Sequence, residues 1–296
     1  MRNPYKRTDV FSCRHPSHAR FGYRVSAYHV LKARRCYPDG CIVYRWHCHR
    51  FEKGQPCVRG FKHVGRLCTG CTHYRDTRVH YQPEVRLDGD TFREFLEEVA
   101  DFEEWLHEAE GRRHEIYARV HSVRPLLRKV VDPGGERLQL NGYLVRLEHA
   151  FVGKTGLEDG LYLALSGHQQ ERYGLKRGDV FECQATLRMS RGRLLVENPS
   201  RVEFAERGVR KEQPSDPVAL IARLVATKID ENTSPRCLSC PYAALVDVEF
   251  RGQRRGRRRE LYCLQGITET ADCALPVIEK MQVEQIGFET CTERDV

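Results

Sequence analysis

The chain has 296 residues, 40% of them hydrophobic and 30% charged, which excludes a disordered or fibrous polymer and leaves room for about two domains. It has no apolar run near the roughly 18 residues of a membrane span, and its first residues lack the apolar stretch of a signal peptide, so a cytoplasmic protein without membrane contact is expected. Forty-nine Lys and Arg against 41 Asp and Glu give a net charge of +8, which favours a polyanionic partner.

Thirteen cysteines fall in two groups. Cys13, Cys36, Cys41, Cys48, Cys57, Cys68 and Cys71 precede residue 72, and Cys237, Cys240, Cys263, Cys273 and Cys291 lie near the carboxyl end, with Cys183 alone between them. In a reducing compartment so many thiols point to metal ligation, whereas a disulfide framework needs a secretory route that the sequence does not show.

Residues 1–83 read as a Cys/His-rich metal-binding module, because they contain too few aliphatic residues for a large core. Cys36 with Cys41, and Cys68 with Cys71, each put two thiolates on a turn, and together they make a tetrahedral zinc site. Cys48 and Cys57 then remain for a second site with His47, His49 or His63, or with Cys13, His15 and His18. In an alternative grouping Cys48, Cys57, Cys68 and Cys71 hold an iron-sulfur cluster. No single histidine is separable here from an ordinary surface or core residue.

Residues 84–115 form an amphipathic connecting helix. Phe92, Phe95, Leu96, Val99, Phe102 and Leu106 recur at helical spacing, with Asp90 or Thr91 as the cap. The helix is expected to pack between domains, and its acidic outer face argues against nucleic acid.

Residues 116–210 change to strand periodicity, with alternating runs from Leu138 to Phe151 and Gly160 to Ser166, a turn and strand from Tyr173 to Met189, and short runs from Arg193 to Asn198 and Arg201 to Phe204. The turn Leu175-Lys176-Arg177-Gly178-Asp179-Val180-Phe181 resembles the Gly-Asp turn that leads into a middle strand of the OB-fold. The resemblance covers about a third of the chain and implies a small β-barrel, an architecture that serves oligonucleotide binding, oligosaccharide binding or purely structural roles. Tyr143, Tyr162, Tyr173 and Phe181, beside Arg146, Arg172, Arg177, Arg188, Arg191 and Arg193, are then the candidates for stacking a single strand. The bland alternative makes the aromatics core and the arginines a solvated face.

Residues 211–296 begin with a linker and a helix started by Pro217, with Ser215 or Asp216 as its cap. Cys237, Cys240, Cys263 and Cys273 follow, enough thiolates for a 4Fe-4S cluster or a zinc ion. Cys263 and Cys273 are too far apart to share one knuckle, and Cys240-Pro241 resembles the Cys-Pro of ferredoxin cluster sites, so a cluster stands ahead of zinc. Between these thiols lies a β-hairpin signal with Arg251, Arg254, Arg255, Arg257, Arg258 and Arg259 near its tip. Guanidinium groups at this density repel one another unless an anion neutralises them, and their planar forks suit phosphate.

The fold class expected is therefore multidomain and mainly β with some α: a Cys-rich amino-terminal module, a central OB-like barrel and a four-cysteine module bearing the basic hairpin. The run His73 to His80 has no nucleophile beside it, and no Walker loop, dinucleotide fingerprint or nucleophile elbow occurs, so an enzyme is not expected. The function expected is metal-stabilised binding of single-stranded or structured RNA or DNA. An iron-sulfur subunit of a redox complex, docked on an acidic protein partner, ranks second, and a structural subunit of a larger assembly third.

Overall fold

The computed structural model describes residues 1–208, 226–229, 237, 240, 242–251, 256–267 and 273. It divides into an amino-terminal unit, Arg2–Glu108 with Met189–Arg193, and a sheet unit containing Met1, Ala109–Arg188 and Leu194–Val296. The helix expected from Pro217, together with Cys291, lies outside the described residues.

In the amino-terminal unit, β1 (Phe11–Ser12) lies between β2 (Arg24–Val25) and β5 (Glu84–Val85), antiparallel to both, so that Phe11 faces Val25 and Val85 in register. These short strands close over a cluster of Val10, Phe11, Cys13, Val25, Ala27, Val30, Cys36 and Phe95. A second, two-stranded ribbon pairs β3 (Cys41–Cys48) with β4 (Tyr74–Tyr81), and the single turn α1 (His49–Glu52) follows β3.

Helix α2 (Gly89–Ala109) docks on this cluster through Phe92, Phe95 and Val99, so most of the expected connecting helix is a wall of the amino-terminal core. Phe95 and Phe102 are fully buried, but Leu96, although it fits the same periodicity, is exposed. The cap is Asp88 rather than Asp90 or Thr91. Its carboxylate accepts the Thr91 N–H at 2.9 Å and the Thr91 hydroxyl at 2.9 Å, the reach of a residue just before the first turn.

The sheet unit contains β6 (Arg113–Asp132), β7 (Gly135–Val152), β8 (Thr155–Leu157), β9 (Leu161–Leu165), α3 (Gly167–Tyr173), β10 (Val180–Ser190), β11 (Arg193–Glu206), β12 (Thr227–Lys228), β13 (Ala243–Phe250) and β14 (Gly256–Cys263). The nine strands pair in the order β12-β14-β13-β6-β10-β11-β9-β7-β8, and β6 also pairs with β7. Pairing thus runs from β6 through β7, β9, β11 and β10 and returns to β6, with β9 parallel to β11. Helix α3 connects β9 to β10 and is held at its start by a reciprocal bond pair between Ser166 and Gln169.

Period-2 alternation sends Ile116, Ala118 and Val120 of β6, Val145 and Leu147 of β7, and Leu161, Leu163 and Leu165 of β9 inward. Cys183, Ala185 and Leu187 of β10 are buried with them. Gly142 allows the close pairing in β7: its φ is +105°, and a β-carbon there would run into the Leu165 carbonyl.

The Gly-Asp turn before β10 has a physical role. Asp179 is fully buried, and its carboxylate accepts the Lys176 N–H at 2.9 Å and the Gly208 N–H at 2.8 Å, with Arg207 at 3.6 Å. The motif thereby ties the entrance of β10 to the chain leaving β11.

The carboxyl-terminal strands prolong this sheet. β13 runs parallel to the far half of β6, from Asp247 opposite Arg128 to Phe250 opposite Val131, and antiparallel to β14. Leu127, Ala244, Val246, Tyr262 and Leu264 pack between them. Among the described residues no helix is long and apolar enough to cross a membrane.

Candidate metal centres and the arginine hairpin

The thiols fall into three neighbourhoods, and in the amino-terminal unit their partition follows the alternative grouping of Cys48, Cys57, Cys68 and Cys71 rather than the pairing of the Cys36–Cys41 and Cys68–Cys71 turns. β3 pairs with β4 so that Cys41 lies opposite Tyr81 and Cys48 opposite Tyr74. Cys41 and Cys48 therefore mark opposite ends of the ribbon, roughly 23 Å apart at the rise of an extended strand. Cys68 and Cys71 belong to the Cys48 end, because the Tyr74 N–H donates to the Cys71 carbonyl at 3.0 Å. The expected site of Cys36 and Cys41 with Cys68 and Cys71 is thus corrected: strand pairing holds the two turns apart.

At the Cys41 end, the partners are Cys13 and Cys36. The Cys36–Cys41 turn closes through a Gly40 N–H to Cys36 carbonyl bond at 2.5 Å. Gly40 has φ +79°, and a β-carbon there would stand 2.5 Å from His80 Nε2 and 2.8 Å from the Tyr81 carbonyl, so the turn needs glycine. Burial, followed by the proximity of Cys41 and Cys13, raises the pKa of the Cys36 thiol; burial and then Cys13 raise that of Cys41. Cys36 Sγ also lies 3.9 Å from the Val30 carbonyl, to which it donates.

Three histidine rings line the same end, His15 to His18 at 5.4 Å and His18 to His29 at 5.0 Å between centroids. Burial lowers the pKa of His18 and of His29, which keeps both rings neutral near pH 7, the form that ligates a metal. His18 Nδ1 is buried without a hydrogen-bond partner. The His18 ring also hydrogen-bonds the Cys13 backbone, and a bare buried ring nitrogen is a donor of the kind a zinc ion takes.

At the other end, hydrogen bonds tie the loops that carry Cys57, Cys68 and Cys71 to one another near the Cys48 end of the ribbon. The Cys71 N–H donates to the Cys68 carbonyl at 3.0 Å, and Arg59 Nη1 donates to the Leu67 carbonyl at 2.9 Å, which brings the Cys57 loop to the Cys68 turn. The Arg59 N–H donates to Cys57 Sγ at 3.4 Å. That bond and a second from the Phe61 backbone lower the Cys57 pKa and favour its thiolate, the ligating form.

In the carboxyl-terminal set the expected thiols lie near enough to influence one another. Burial raises the Cys237 pKa first, and the nearness of Cys240, Cys273 and Cys263 raises it further. The chain supplies the geometry: the Ala243 N–H donates to the Cys240 carbonyl at 3.2 Å, and Ala243 lies opposite Cys263 in the β13–β14 ladder. The half-buried Arg124, whose Nη1 donates to the Ala243 carbonyl at 3.2 Å, feels the Cys240 thiol. Among the described residues no group of three or more His, Cys, Asp and Glu is closed to metal-ligating spacing in any of the three sets.

The arginine run is divided by the strand. The β13–β14 register places Arg257 opposite Glu249, Arg258 opposite Val248 and Arg259 opposite Asp247, so these three are strand positions, not the loop tip. Arg251 is exposed and pairs with Glu249 at 3.1 Å, while Arg254 and Arg255 lie outside the described residues. Part of the charge density that the sequence suggests is therefore matched by acidic residues in register.

The aromatic candidates on the central strands also change. Phe181 and Tyr143 are buried core, and the Tyr173 hydroxyl donates to the Pro199 carbonyl at 3.1 Å. The exposed aromatics of this sheet are Tyr117 and Phe151, an edge-on cross-strand pair 6.3 Å apart. Periodicity marked Phe151 as a strand residue but not which face is covered, and Tyr117 preceded the first alternating run.

Cys183 offers a check on these environments. Burial pushes its pKa up to about 12, so it stays a neutral thiol, whereas Cys57 is tuned toward thiolate. In reduced protein stripped of metal at pH 8, where the amino-terminal unit is open, iodoacetamide should modify Cys57 first and leave Cys183 untouched until the sheet unit unfolds, as read by peptide mass spectrometry. Equal labelling of the two would contradict the assignment. No family model matches this chain, nor does any curated protein or solved structure.

Proposed function

We propose that the chain is a metal-stabilised nucleic-acid-binding protein. The observation that carries this reading is the parallel pairing of β13 on β6, which makes the arginine hairpin a continuation of the central sheet rather than a separate appendage. The hairpin backbone and the basic residues Arg124, Arg128 and Lys129 of β6 then belong to one sheet.

The cyclic pairing of β6, β7, β9, β11 and β10, with α3 between β9 and β10, supports an OB-like barrel as the architecture of that sheet. In this reading the metals fix shape. Cys13, Cys36, Cys41 and His18 hold one zinc ion, and Cys48, Cys57, Cys68 and Cys71 a second. Cys237, Cys240, Cys263 and Cys273 hold a 4Fe-4S cluster, with zinc as the competing cargo, since separated thiols suit ligation of different irons.

Replacing Arg254, Arg255, Arg257, Arg258 and Arg259 together by Ala tests the role of the hairpin. With folding checked by circular dichroism, affinity for a fluorescent single-stranded oligonucleotide should fall about tenfold or more, as loss of several phosphate contacts requires. Unchanged affinity would remove the hairpin from the interface.

A further inference from the structure

We propose that the outer face of the β3–β4 ribbon binds single-stranded nucleic acid, with Tyr44 and Trp46 as stacking platforms for bases. This inference rests on the nucleic-acid reading for its class of partner, but on different residues from the hairpin and the central sheet.

Strand alternation places Ile42, Tyr44 and Trp46 on one face, and the register sets His80, Arg78 and Asp76 directly opposite them on β4. Every one of these six residues is exposed, with Ile42 at 56%, Tyr44 at 48% and Trp46 at 42%. On the opposite face the apolar and ring-bearing residues Cys41, Val43, His47, Val79 and Tyr81 are partly covered, and only Arg45, Arg75 and Thr77 are exposed. Three large apolar side chains thus stand in water on the face that the fold leaves open, an arrangement that marks an interaction surface rather than unfinished core.

Charge identifies the occupant. Residues 41–81 contain eight Lys and Arg against two Asp and Glu, so 41 residues carry a net +6 of the chain's +8. One of the two acids, Glu52, is engaged by Arg75 at 3.1 Å and by His47 at 3.2 Å. A polyanion is the complement of such a segment.

The rings then choose among polyanions. Tyr44 and Trp46 are two residues apart on one face, about 7 Å at the rise of a strand, so each has room for its own base. Arg78 already lies over the Tyr44 ring, its guanidinium carbon 5.4 Å from the centroid, which presents a cation beside an aromatic face. An acidic protein would use the charge and leave the rings without stacking partners. A duplex keeps its bases stacked internally, whereas a single strand offers unstacked bases together with phosphates.

Trp46 and Trp105 are the two tryptophans of the chain, so the metal-loaded full-length Trp105→Phe variant reports on Trp46 alone. Titration with a mixed-sequence single-stranded DNA of about 16 nucleotides should quench its fluorescence, with a duplex of the same length and poly-glutamate quenching far less. Trp46→Ala and Tyr44→Ala, made in the wild-type chain at exposed positions, should each weaken binding by about tenfold while leaving the circular dichroism unchanged. Oligonucleotide binding with Trp46 unquenched and both alanine variants at wild-type affinity would overturn the ribbon proposal and leave the general reading standing. No binding by the wild-type chain would overturn both, and equal quenching by poly-glutamate would reassign the face to acidic protein.

Discussion

Withdrawing metal from the reduced protein is expected to unfold the Arg2–Glu108 unit. Its apolar cluster is small and closed by strands of two residues and one helix face, and the ribbon beyond it leaves most of one face exposed, so side-chain burial alone is a weak scaffold. Structural zinc contributes about 10–16 kcal/mol at neutral pH, comparable with or larger than the 5–15 kcal/mol stability of a typical domain. Chelation should therefore abolish the cooperative transition of this unit and open residues 41–81 to protease.

Single substitutions separate the two ends of the ribbon. Cys41→Ser should remove one metal ion and Cys68→Ser a different one, with the double variant losing both, as counted by elemental analysis. If both single variants lost the same ion, the partition derived from the β3–β4 register would be wrong.

Ionic strength is expected to have the second large effect. Neutralising about six phosphates of a single strand gives a slope near −4 for log affinity against log salt, so raising salt from about 50 to 200 mM should weaken binding a few hundred-fold. The +6 segment at 41–81 and the hairpin arginines both contribute, and removing either set should flatten the slope rather than merely shift the curve. A wild-type affinity independent of salt would exclude phosphate contact as its basis.

Much of the central sheet was legible because period-2 alternation is local. The runs at Leu161–Leu165 and Val180–Leu187 declare one buried face without knowledge of their neighbours. The Gly-Asp turn was legible as a motif, but its purpose appears only when Gly208, 29 residues beyond Asp179, returns to donate to the carboxylate.

The cysteine sets were legible as sets, but the sequence left two groupings of the amino-terminal thiols open and did not choose between them. Cys36–Cys41 and Cys68–Cys71 look like two turns of one site, yet strand register sends them to opposite ends of an eight-residue ribbon. His18 was one of several candidate histidines in the sequence, and only its buried, unpartnered Nδ1 sets it apart from the others. Composition made Arg257, Arg258 and Arg259 look like a loop tip, and only the pairing shows that they are strand positions facing Glu249, Val248 and Asp247. Tyr44 and Trp46 lie on a strand whose exposed face no sequence pattern distinguishes from its covered one.

The account joins metal to nucleic acid, so the most direct measurement joins them too: anisotropy of a labelled single-stranded oligonucleotide titrated with metal-loaded chain and with chain stripped of metal, both reduced. The account predicts saturable binding by the loaded protein and loss of most of that affinity on stripping, because the ribbon that presents Tyr44, Trp46 and Arg78 is fixed at each end by a thiol set. Equal binding by the stripped protein would contradict the claim that metal shapes the interface, and absence of binding by the loaded protein would contradict the function itself.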